Sequence, residues 1–223
     1  LGILKPKRPI LGMELAGEIE AIGKAVTHFQ VGDPIFASTF KVGFGGYAEY
    51  KCMPEDGLLA LKPANLTFAE GAAAVGGGIS ALRCLQRGKL QPGQKILIYG
   101  ASGSIGTNAV QLAKNHFGAE VTGVCSTANL DLVKALGAVE VIDYTQEDFS
   151  QRGATYDVVF DAVAKFSPAR AKQALNPTGI YLNAHRDTDV GAGLTMQQEL
   201  LLLKELLEAE KLKPVIDRSY PLA

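Results

Sequence analysis

The sequence predicts an α/β fold in which a doubly wound parallel sheet follows a smaller β-rich region. From residue 95 onward, apolar runs of strand length alternate with helical patterns. A glycine-rich turn joins the first of these strands directly to the first of these helices. Residues 1–60 show no long helical period and are punctuated by glycines, which is typical of short strands. These three observations predict two structural units of different class.

The first unit is predicted to be a small, strongly bent β-domain. Residues 14–23 partly alternate polar with apolar side chains, which predicts a strand pair or one bent strand. A turn at 31–34 precedes a short strand at 35–37, and a glycine-rich loop precedes a further strand at Tyr47 to Lys51. Several short strands with such turns between them indicate a compact β-structure.

A capping box marks the start of the first helix. The Thr67 hydroxyl can cap the helix while the Glu70 carboxylate reaches back, so a helix is predicted from here to Arg87. Three successive glycines, Gly76 to Gly78, interrupt this helix and lower its stability. We therefore expect them to permit close packing or the approach of a ligand. Ser80, just beyond them, is the hydroxyl that we place near that ligand.

The stretch Lys95 to Gly118 reads as strand, glycine turn and helix. Ile96 to Tyr99 has the length and composition of a buried parallel strand, and Gly100, Gly103 and Gly106 follow it. Free N–H groups and the positive end of the helix dipole at such a turn bind phosphate. The glycines permit a tight turn, close approach of a pyrophosphate and close packing of helix on strand. We therefore predict a dinucleotide site, with a purely structural turn as the alternative.

Strands and helices go on alternating after this stretch, as a doubly wound sheet requires. A helix is predicted to start at Ser167, because Ser is a favoured N-cap and Pro168 suits the first turn. The last helix, Gln197 to Lys211, carries a leucine stripe that favours core or subunit contact. The remaining strands are predicted at 120–125, 139–142, 156–160 and 179–182.

The end of the strand at 120–125 bears on the choice between NAD and NADP. An NAD site usually has Asp or Glu there to hold the ribose 2′-hydroxyl. Here Ser126 and Thr127 follow the strand, and no acid occurs before Asp131. A hydroxyl does not repel a 2′-phosphate as a carboxylate would, so NADP is predicted. This segment offers no positive charge that would attract the 2′-phosphate, however, since no Arg or Lys occurs before Lys134.

Composition excludes several classes of function. The 223 residues are 47% hydrophobic, which fits an ordinary globular protein of one large or two modest domains. A formal net charge of -1 predicts neither nucleic-acid nor membrane-surface binding, and the apolar stretches are too short to span a bilayer. The dispersed cysteines Cys52, Cys84 and Cys125 indicate reduced core residues in a cytoplasmic protein.

Six segments of the chain resemble one known superfamily, and they occur in the right order. They read GMELAGEIEAIG, VGDPIFA, GGYAEY, LQPGQKILIYGASGSIGTNAVQLAK, VIDYTQEDF and LKPVIDRSYPL. Together they resemble the medium-chain dehydrogenase/reductase superfamily and, within it, the zinc-independent quinone oxidoreductase subgroup. The resemblance implies a Rossmann domain fused to a GroES-like β-domain. It also implies NADPH as cofactor, a small-molecule quinone or α,β-unsaturated carbonyl as substrate, and a homodimer.

Domain boundaries follow from the same resemblance. We predict a partial GroES-like catalytic domain at residues 1–66, a Rossmann dinucleotide-binding domain at 67–205, and a return towards the catalytic domain at 206–223. Whole members of the subgroup carry a further N-terminal segment and a C-terminal tail. The chain starts at Leu1 within what reads as a loop and stops just after Leu222, so both ends are expected to be cut.

The resemblance also implies most of the cofactor-binding residues. To these the glycine pattern itself adds Gly106, and the interrupted helix adds Ser80. For Tyr144 a surface aromatic on a loop is the alternative. The matched positions are Ser102, Gly103, Ser104 and Ile105 at the pyrophosphate, Ser126 at the 2′-phosphate, Tyr144 near the adenosine phosphate, and Val163 and Asn183 near the nicotinamide.

Neither a metal site nor a proton donor is predicted. Zinc-dependent members of the superfamily have a His ligand where this chain has Met13, and a thioether is a poor zinc ligand. The structural zinc lobe requires four closely spaced cysteines, which the chain lacks. His28, His116 and His185 are lone histidines, so no catalytic residue is assigned. Water can supply the proton when the cofactor supplies the hydride.

Two other functions stay open. A zinc-type alcohol dehydrogenase is opposed by Met13, since simple alcohol oxidation needs a metal as Lewis acid. A non-catalytic nucleotide-binding module is the other alternative, because some members of the superfamily bind the cofactor without catalysis. Stoichiometric bound zinc would favour the first alternative. Binding of NADPH without turnover of any quinone or enone would favour the second.

Overall fold

Two sheets, one antiparallel and one parallel, flank a long helix, α1 (Phe68–Arg87). The computed structural model describes residues 9–188 and 193–222, so the first eight residues of the predicted β-domain lie outside the described part. The helix starts as predicted, because the Thr67 side chain accepts from the Glu70 N–H and the Glu70 side chain accepts from the Thr67 N–H. No described helix is both long and apolar enough to cross a bilayer.

The smaller sheet contains β1 (Glu14–Glu18), β2 (Pro34–Ser38) and β3 (Leu59–Leu61). These strands pair antiparallel in the order β1-β2-β3, with β2 in the middle and its central residues buried. The predicted strand at 35–37 is therefore confirmed, while the stretch 14–23 forms one short strand and no strand pair.

The predicted strand at Tyr47 to Lys51 is wrong, because this segment is irregular. Gly43 and Gly45 take left-handed φ values of +86° and +94°, and two such turns interrupt an extended run. Gly46 then lies so close to β1 that a Cβ atom on it would be 2.6 Å from the Glu14 carbonyl oxygen. The glycines therefore serve a loop that packs against β1.

The glycines of α1 each lie against a different neighbour. A Cβ atom on Gly76 would overlap the Glu14 carboxylate of β1. One on Gly77 would enter the first turn of the next helix, and one on Gly78 would be 2.8 Å from the Leu203 side chain. Close packing is thus the reason that α1 tolerates three glycines, because β1 and two later helices approach its backbone at these positions.

The larger sheet is parallel and alternates with helices along the chain. Its strands are β4 (Lys95–Tyr99), β5 (Glu120–Cys125), β6 (Glu140–Asp143), β7 (Tyr156–Asp161) and β8 (Leu175–Asn183), and the helices are α2 (Ser104–Asn115), α3 (Leu130–Ala135), α4 (Pro168–Lys172), α5 (Ala184–Asp187) and α6 (Met196–Glu208). The strand order β6-β5-β4-β7-β8 confirms the predicted doubly wound sheet.

Strand β4 occupies the middle of the core. Ile96 and Ile98 pack into the cluster on one face of the sheet, and Leu97 packs into the cluster on the other. All three are fully buried, as expected of a parallel strand covered on both faces. The leucine stripe of α6 joins the same core through Leu200 and Leu203, so its core interpretation is confirmed.

Candidate functional site

The order of the parallel strands creates a crevice at the carboxyl ends of β4 and β7. From β4 the chain builds outward through β5 to β6, and then crosses to β7 and β8 on the other side. The connections that leave β4 and β7 therefore run in opposite directions, and a crevice forms between these two strands. Open α/β sheets bind ligands at such a point. The glycine turn follows β4 at this point, and Val163 follows β7.

The turn itself leaves no room for side chains at two of its glycines. Gly100 has φ +79°, and a Cβ atom on it would be 2.6 Å from Cγ1 of Val163. A Cβ atom on Gly106 would overlap the Gly100 carbonyl oxygen. Gly103 is the N-cap of α2 and makes no side-chain cap, so the N–H groups of Ser104 and Ile105 keep no acceptor within the described residues. Such free N–H groups fit a pyrophosphate.

A cavity of about 310 Å³ opens above this turn. Five of the predicted cofactor residues line it, and the wall includes residues from four consecutive connections of the sheet. The lining residues are Tyr99, Gly100, Ser102, Gly103, Cys125, Ser126, Tyr144, Val163 and Lys165. The structure thus brings the predicted pyrophosphate turn and the predicted adenosine positions into one depression.

Tyr144 belongs to the wall of this cavity and is half exposed, with 50% of its surface accessible. Its ring centroid lies 6.0 Å from that of Tyr99, which also packs against Phe149 and Phe166. A partly exposed ring at the edge of an aromatic cluster offers a flat face to an adenosine group. This location favours the cofactor interpretation of Tyr144 over an isolated surface aromatic.

The other predicted residues are not among those that line the cavity. Ser104, Ile105 and Gly106 form the first turn of α2, directly below Gly103. Ser80 lies half-buried on α1, where no protein group bonds its hydroxyl in the described structure.

Asn183, at the end of β8, has a side chain fully engaged by protein groups. Its Oδ1 accepts from the His185 N–H at 3.0 Å, and its Nδ2 donates to the Tyr181 hydroxyl at 3.1 Å. Its backbone N–H is engaged as well, because it donates to Asp187 Oδ2 at 2.7 Å.

The histidines and cysteines give no group suited to acid–base work at the cavity. His116 packs on Phe117, and burial lowers its pKa, with a smaller effect from Lys211. Burial raises the pKa of the Cys84 thiol to about 12 and that of Cys125 to about 11, so both stay protonated. Cys52 is exposed, which corrects the expectation that all three cysteines are core residues.

Comparison with known proteins gives the family. The zinc-binding dehydrogenase model matches residues 104–182, and the alcohol dehydrogenase GroES-like domain model matches residues 2–63. The chloroplastic quinone oxidoreductase QR1 of Triphysaria versicolor is 32% identical over 100% of this chain, which covers 77% of that protein. The chain belongs to the medium-chain dehydrogenase/reductase superfamily, in its quinone oxidoreductase subgroup.

Two further relatives of this superfamily agree with the assignment. The chloroplastic NADPH-dependent alkenal/one oxidoreductase of Arabidopsis thaliana is 32% identical over 97% of this chain. The solved quinone oxidoreductase of Coxiella burnetii superposes with a TM-score of 0.82 at 29% identity, covering 95% of this chain and 72% of that one. The chain spans 58% of the length of the Arabidopsis protein.

Two charged residues near the predicted adenosine positions Ser126 and Tyr144 were missed from the sequence. Lys165 lines the cavity although it follows β7, far along the chain from Ser126. Asp143, at the end of β6, accepts from the hydroxyls of Thr127 and Thr145, and the Thr127 hydrogen bond first of all lowers its pKa. The available signal in both cases was a charged residue close to the carboxyl end of a parallel strand: Asp143 is the last residue of β6, and Lys165 lies four positions after β7.

Proposed function

We propose that the chain is part of an NADPH-dependent, zinc-independent oxidoreductase that transfers hydride to quinones or α,β-unsaturated carbonyls. The observation that carries the proposal is the cavity at the switch point, where the glycine turn, the uncapped start of α2, Ser126 and Tyr144 meet. The names of the two plant relatives support these acceptor classes, and the Arabidopsis name supports NADPH. The chain spans 58% of the length of the Arabidopsis relative, and the activity is proposed for the whole protein.

The residues are proposed to divide the cofactor among them. The turn from Gly100 to Gly106 and the first N–H groups of α2 would hold the pyrophosphate. Ser126 and Tyr144 would hold the adenosine phosphate, while Val163 and the Asn183 backbone would lie at the nicotinamide. Ser80 is proposed as a further contact on the α1 side.

Bound NADPH supplies a hydride from its reduced ring, and the protein then has to orient that ring and keep water out. The turn is suited to orientation because backbone hydrogen bonds hold it: the Gly100 N–H donates to the Val124 carbonyl oxygen at 2.9 Å, and the Gly103 N–H donates to the Gly100 carbonyl oxygen at 3.0 Å. The free N–H groups at the start of α2 would stabilise the charge of a bound diphosphate. An electron-poor acceptor needs no metal, and a water molecule can deliver the proton to the reduced product.

Zinc independence is part of the proposal. Met13, whose place is taken by a His ligand in zinc enzymes of the superfamily, directly precedes β1 and is 43% exposed. Within residues 9–188 and 193–222 no group of three or more His, Cys, Asp or Glu side chains could hold a metal ion. The Glu14 carboxylate, next in the chain after Met13, lies against Gly76 of α1. Metal analysis of the purified protein tests this point.

A homodimer and a cytoplasmic location complete the proposal. β8 is an outer strand of the parallel sheet, and an open edge is suited to pairing with the same strand of a second copy. The free state of all three cysteines supports a reducing compartment. Gel filtration and imaging of a fluorescent fusion would test the two points.

The test of the function is a titration of the purified chain with NADPH and with NADH, followed by cofactor fluorescence. Preferential binding of NADPH, and then oxidation of NADPH by quinones or enones in the full-length protein, are expected. Binding without turnover of either acceptor class would favour a non-catalytic nucleotide-binding module. Failure to bind either cofactor would overturn the proposal.

A further inference from the structure

We propose that Lys165, presented by the turn after β7, supplies the positive charge that recognises the 2′-phosphate of NADP. The inference rests on the proposed function, because it assumes that an adenine dinucleotide occupies the cavity. Lys165 shares this cavity with Ser126 and Tyr144, which the sequence assigns to the adenosine end. The segment after β5 has no basic residue before Lys134, so the charge has to come from another strand connection.

The Lys165 side chain is free to bind an anion. It is exposed, and it makes no hydrogen bond or ion pair with any other described residue. Its ammonium group can therefore turn towards a phosphate without breaking an existing contact. A charge-assisted hydrogen bond from an ammonium group to a phosphate is stronger than a hydrogen bond from a neutral hydroxyl. Ser126 alone would offer only the neutral bond.

The backbone that carries Lys165 is held in place from below. The fully buried Asp161 carboxylate accepts from the Val163 N–H at 3.2 Å and from the Phe166 N–H at 3.0 Å. The Tyr181 hydroxyl donates to the Phe166 carbonyl oxygen at 2.9 Å. These bonds close the turn on both sides of Lys165.

The same turn contains a backbone conformation that a side chain disfavours. Ala164, which directly precedes Lys165, has φ +53° in the left-handed region. A non-glycine residue in this region costs free energy and persists where the surrounding structure fixes it, often at ligand sites. The turn is thus held in one unfavourable shape, and that shape directs Lys165 to the cavity.

The other charged groups near the cavity are already engaged. Arg170 pairs with Asp148 at 3.1 Å and lies over the Phe149 ring at 5.0 Å, and it does not line the cavity. Asp143, which would repel a phosphate, also stays out of the wall, and its carboxylate is bound by the hydroxyls of Thr127 and Thr145. Lys165 is the cation that the described wall offers to a 2′-phosphate.

The experiment compares three variants of the chain in binding NADPH, NADH and 2′,5′-ADP, measured by fluorescence and calorimetry. Lys165→Met removes the charge, Lys165→Arg keeps it, and Lys95→Met removes an exposed charge from the opposite end of the sheet. We expect Lys165→Met to weaken NADPH and 2′,5′-ADP about tenfold or more, as loss of a charge-assisted hydrogen bond does, while NADH binding is unchanged. Lys165→Arg and Lys95→Met should bind all three ligands as the unmodified chain does.

Salt gives a second readout that a structural role for Lys165 would not change. NADPH affinity of the unmodified chain should fall more steeply with ionic strength than that of Lys165→Met. Equal weakening of NADPH and NADH by Lys165→Met, or no weakening of either, would overturn the inference while NADPH preference of the unmodified chain keeps the proposed function. An unmodified chain that binds neither cofactor would overturn both.

Discussion

Gly100 and Gly106 lie on opposite sides of one turn, and glycine is required at each position for a different physical reason. Gly100 has a left-handed φ and touches Val163, so both backbone conformation and space require glycine. Gly106 is helical, but its Cα faces the Gly100 carbonyl oxygen directly. Gly103 differs from both, because a Cβ there would meet only one backbone atom at 3.4 Å. The three glycines are equivalent in the sequence pattern, but the space around each of them in the structure differs.

We predict that Gly106→Ala destabilises the fold by about 2 kcal/mol, because its methyl group must displace backbone atoms of the turn. Gly103→Ala is the matched control and should unfold at nearly the same urea concentration as the unmodified chain. Urea denaturation followed by circular dichroism measures both. Equal stability of the two variants would contradict the packing seen at Gly106.

At the scale of elements, α1 is connected to α6 by a buried ion pair. Arg83 Nε donates to Glu199 Oε2 at 2.7 Å, and Arg83 also donates to the Thr188 carbonyl oxygen at 3.0 Å. The Arg83 side chain is 11% exposed and that of Glu199 is fully buried. The second Glu199 oxygen has no hydrogen-bond partner among the described residues. A buried carboxylate with one partner depends strongly on that partner.

Arg83→Met should therefore destabilise the fold by about 3 kcal/mol or more, since it leaves the Glu199 carboxylate buried and unpaired. The double variant Arg83→Met, Glu199→Leu should recover most of this loss, because no charge is then buried. Arg152→Met, which breaks exposed pairs with Glu140 and Glu147, serves as control and should cost less than about 1 kcal/mol. A double variant as unstable as Arg83→Met would contradict this account.

For the whole molecule, the contact between the two sheets runs through α1. Glu14 of β1 extends its carboxylate over Gly76, while Gly77 packs against Ser104 at the start of α2. No hydrogen bond to the Glu14 carboxylate is present among the described residues, and desolvation by burial raises its pKa above the ordinary 4.5. The folded state thus binds a proton at Glu14 more readily than the unfolded chain does.

This difference sets the sign of a pH effect. Because the pKa of Glu14 is raised in the folded state, the free energy of unfolding falls as the pH rises from about 4.5 through the folded-state pKa. Above the folded-state pKa, the buried carboxylate is charged and the full loss of stability is present. Glu14→Gln should therefore be more stable than the unmodified chain at about pH 8, and the gap should close towards about pH 4.5. Glu18→Gln, on the exposed end of the same strand, should leave stability unchanged at both pH values. Urea denaturation at the two pH values would refute the account if Glu14→Gln were the less stable protein at about pH 8.

Much of the fold was predictable because its signals are local. The strand at 120–125 and the capping box of Thr67 and Glu70 are confirmed to the residue, since both depend on neighbours a few positions away. The strand at Tyr47 to Lys51 was not predictable in the same way. The left-handed glycines before it turn the chain towards the residues that precede β1, and that contact lies outside the local window.

The residues of the candidate site also fall into two groups, those that a local sequence signal identifies and those that only the tertiary structure brings to the site. Ser102 and Gly103 are recognisable because a phosphate turn is one continuous stretch, and the structure lines the cavity with both. Lys165 and Asp143 were missed because strand order, and not distance along the chain, brings the ends of β5, β6 and β7 near one another.

The sequence by itself determined the α/β class, the glycine turn and the start of α1, because backbone conformation and side-chain periodicity are decided over a few residues. Only the tertiary structure decided which strands are neighbours and therefore which side chains share the cavity. It also decided that the α1 glycines serve packing, since their partners come from β1, α2 and α6. Burial of apolar surface from distant segments fixes these neighbours, and no short stretch of sequence contains that information.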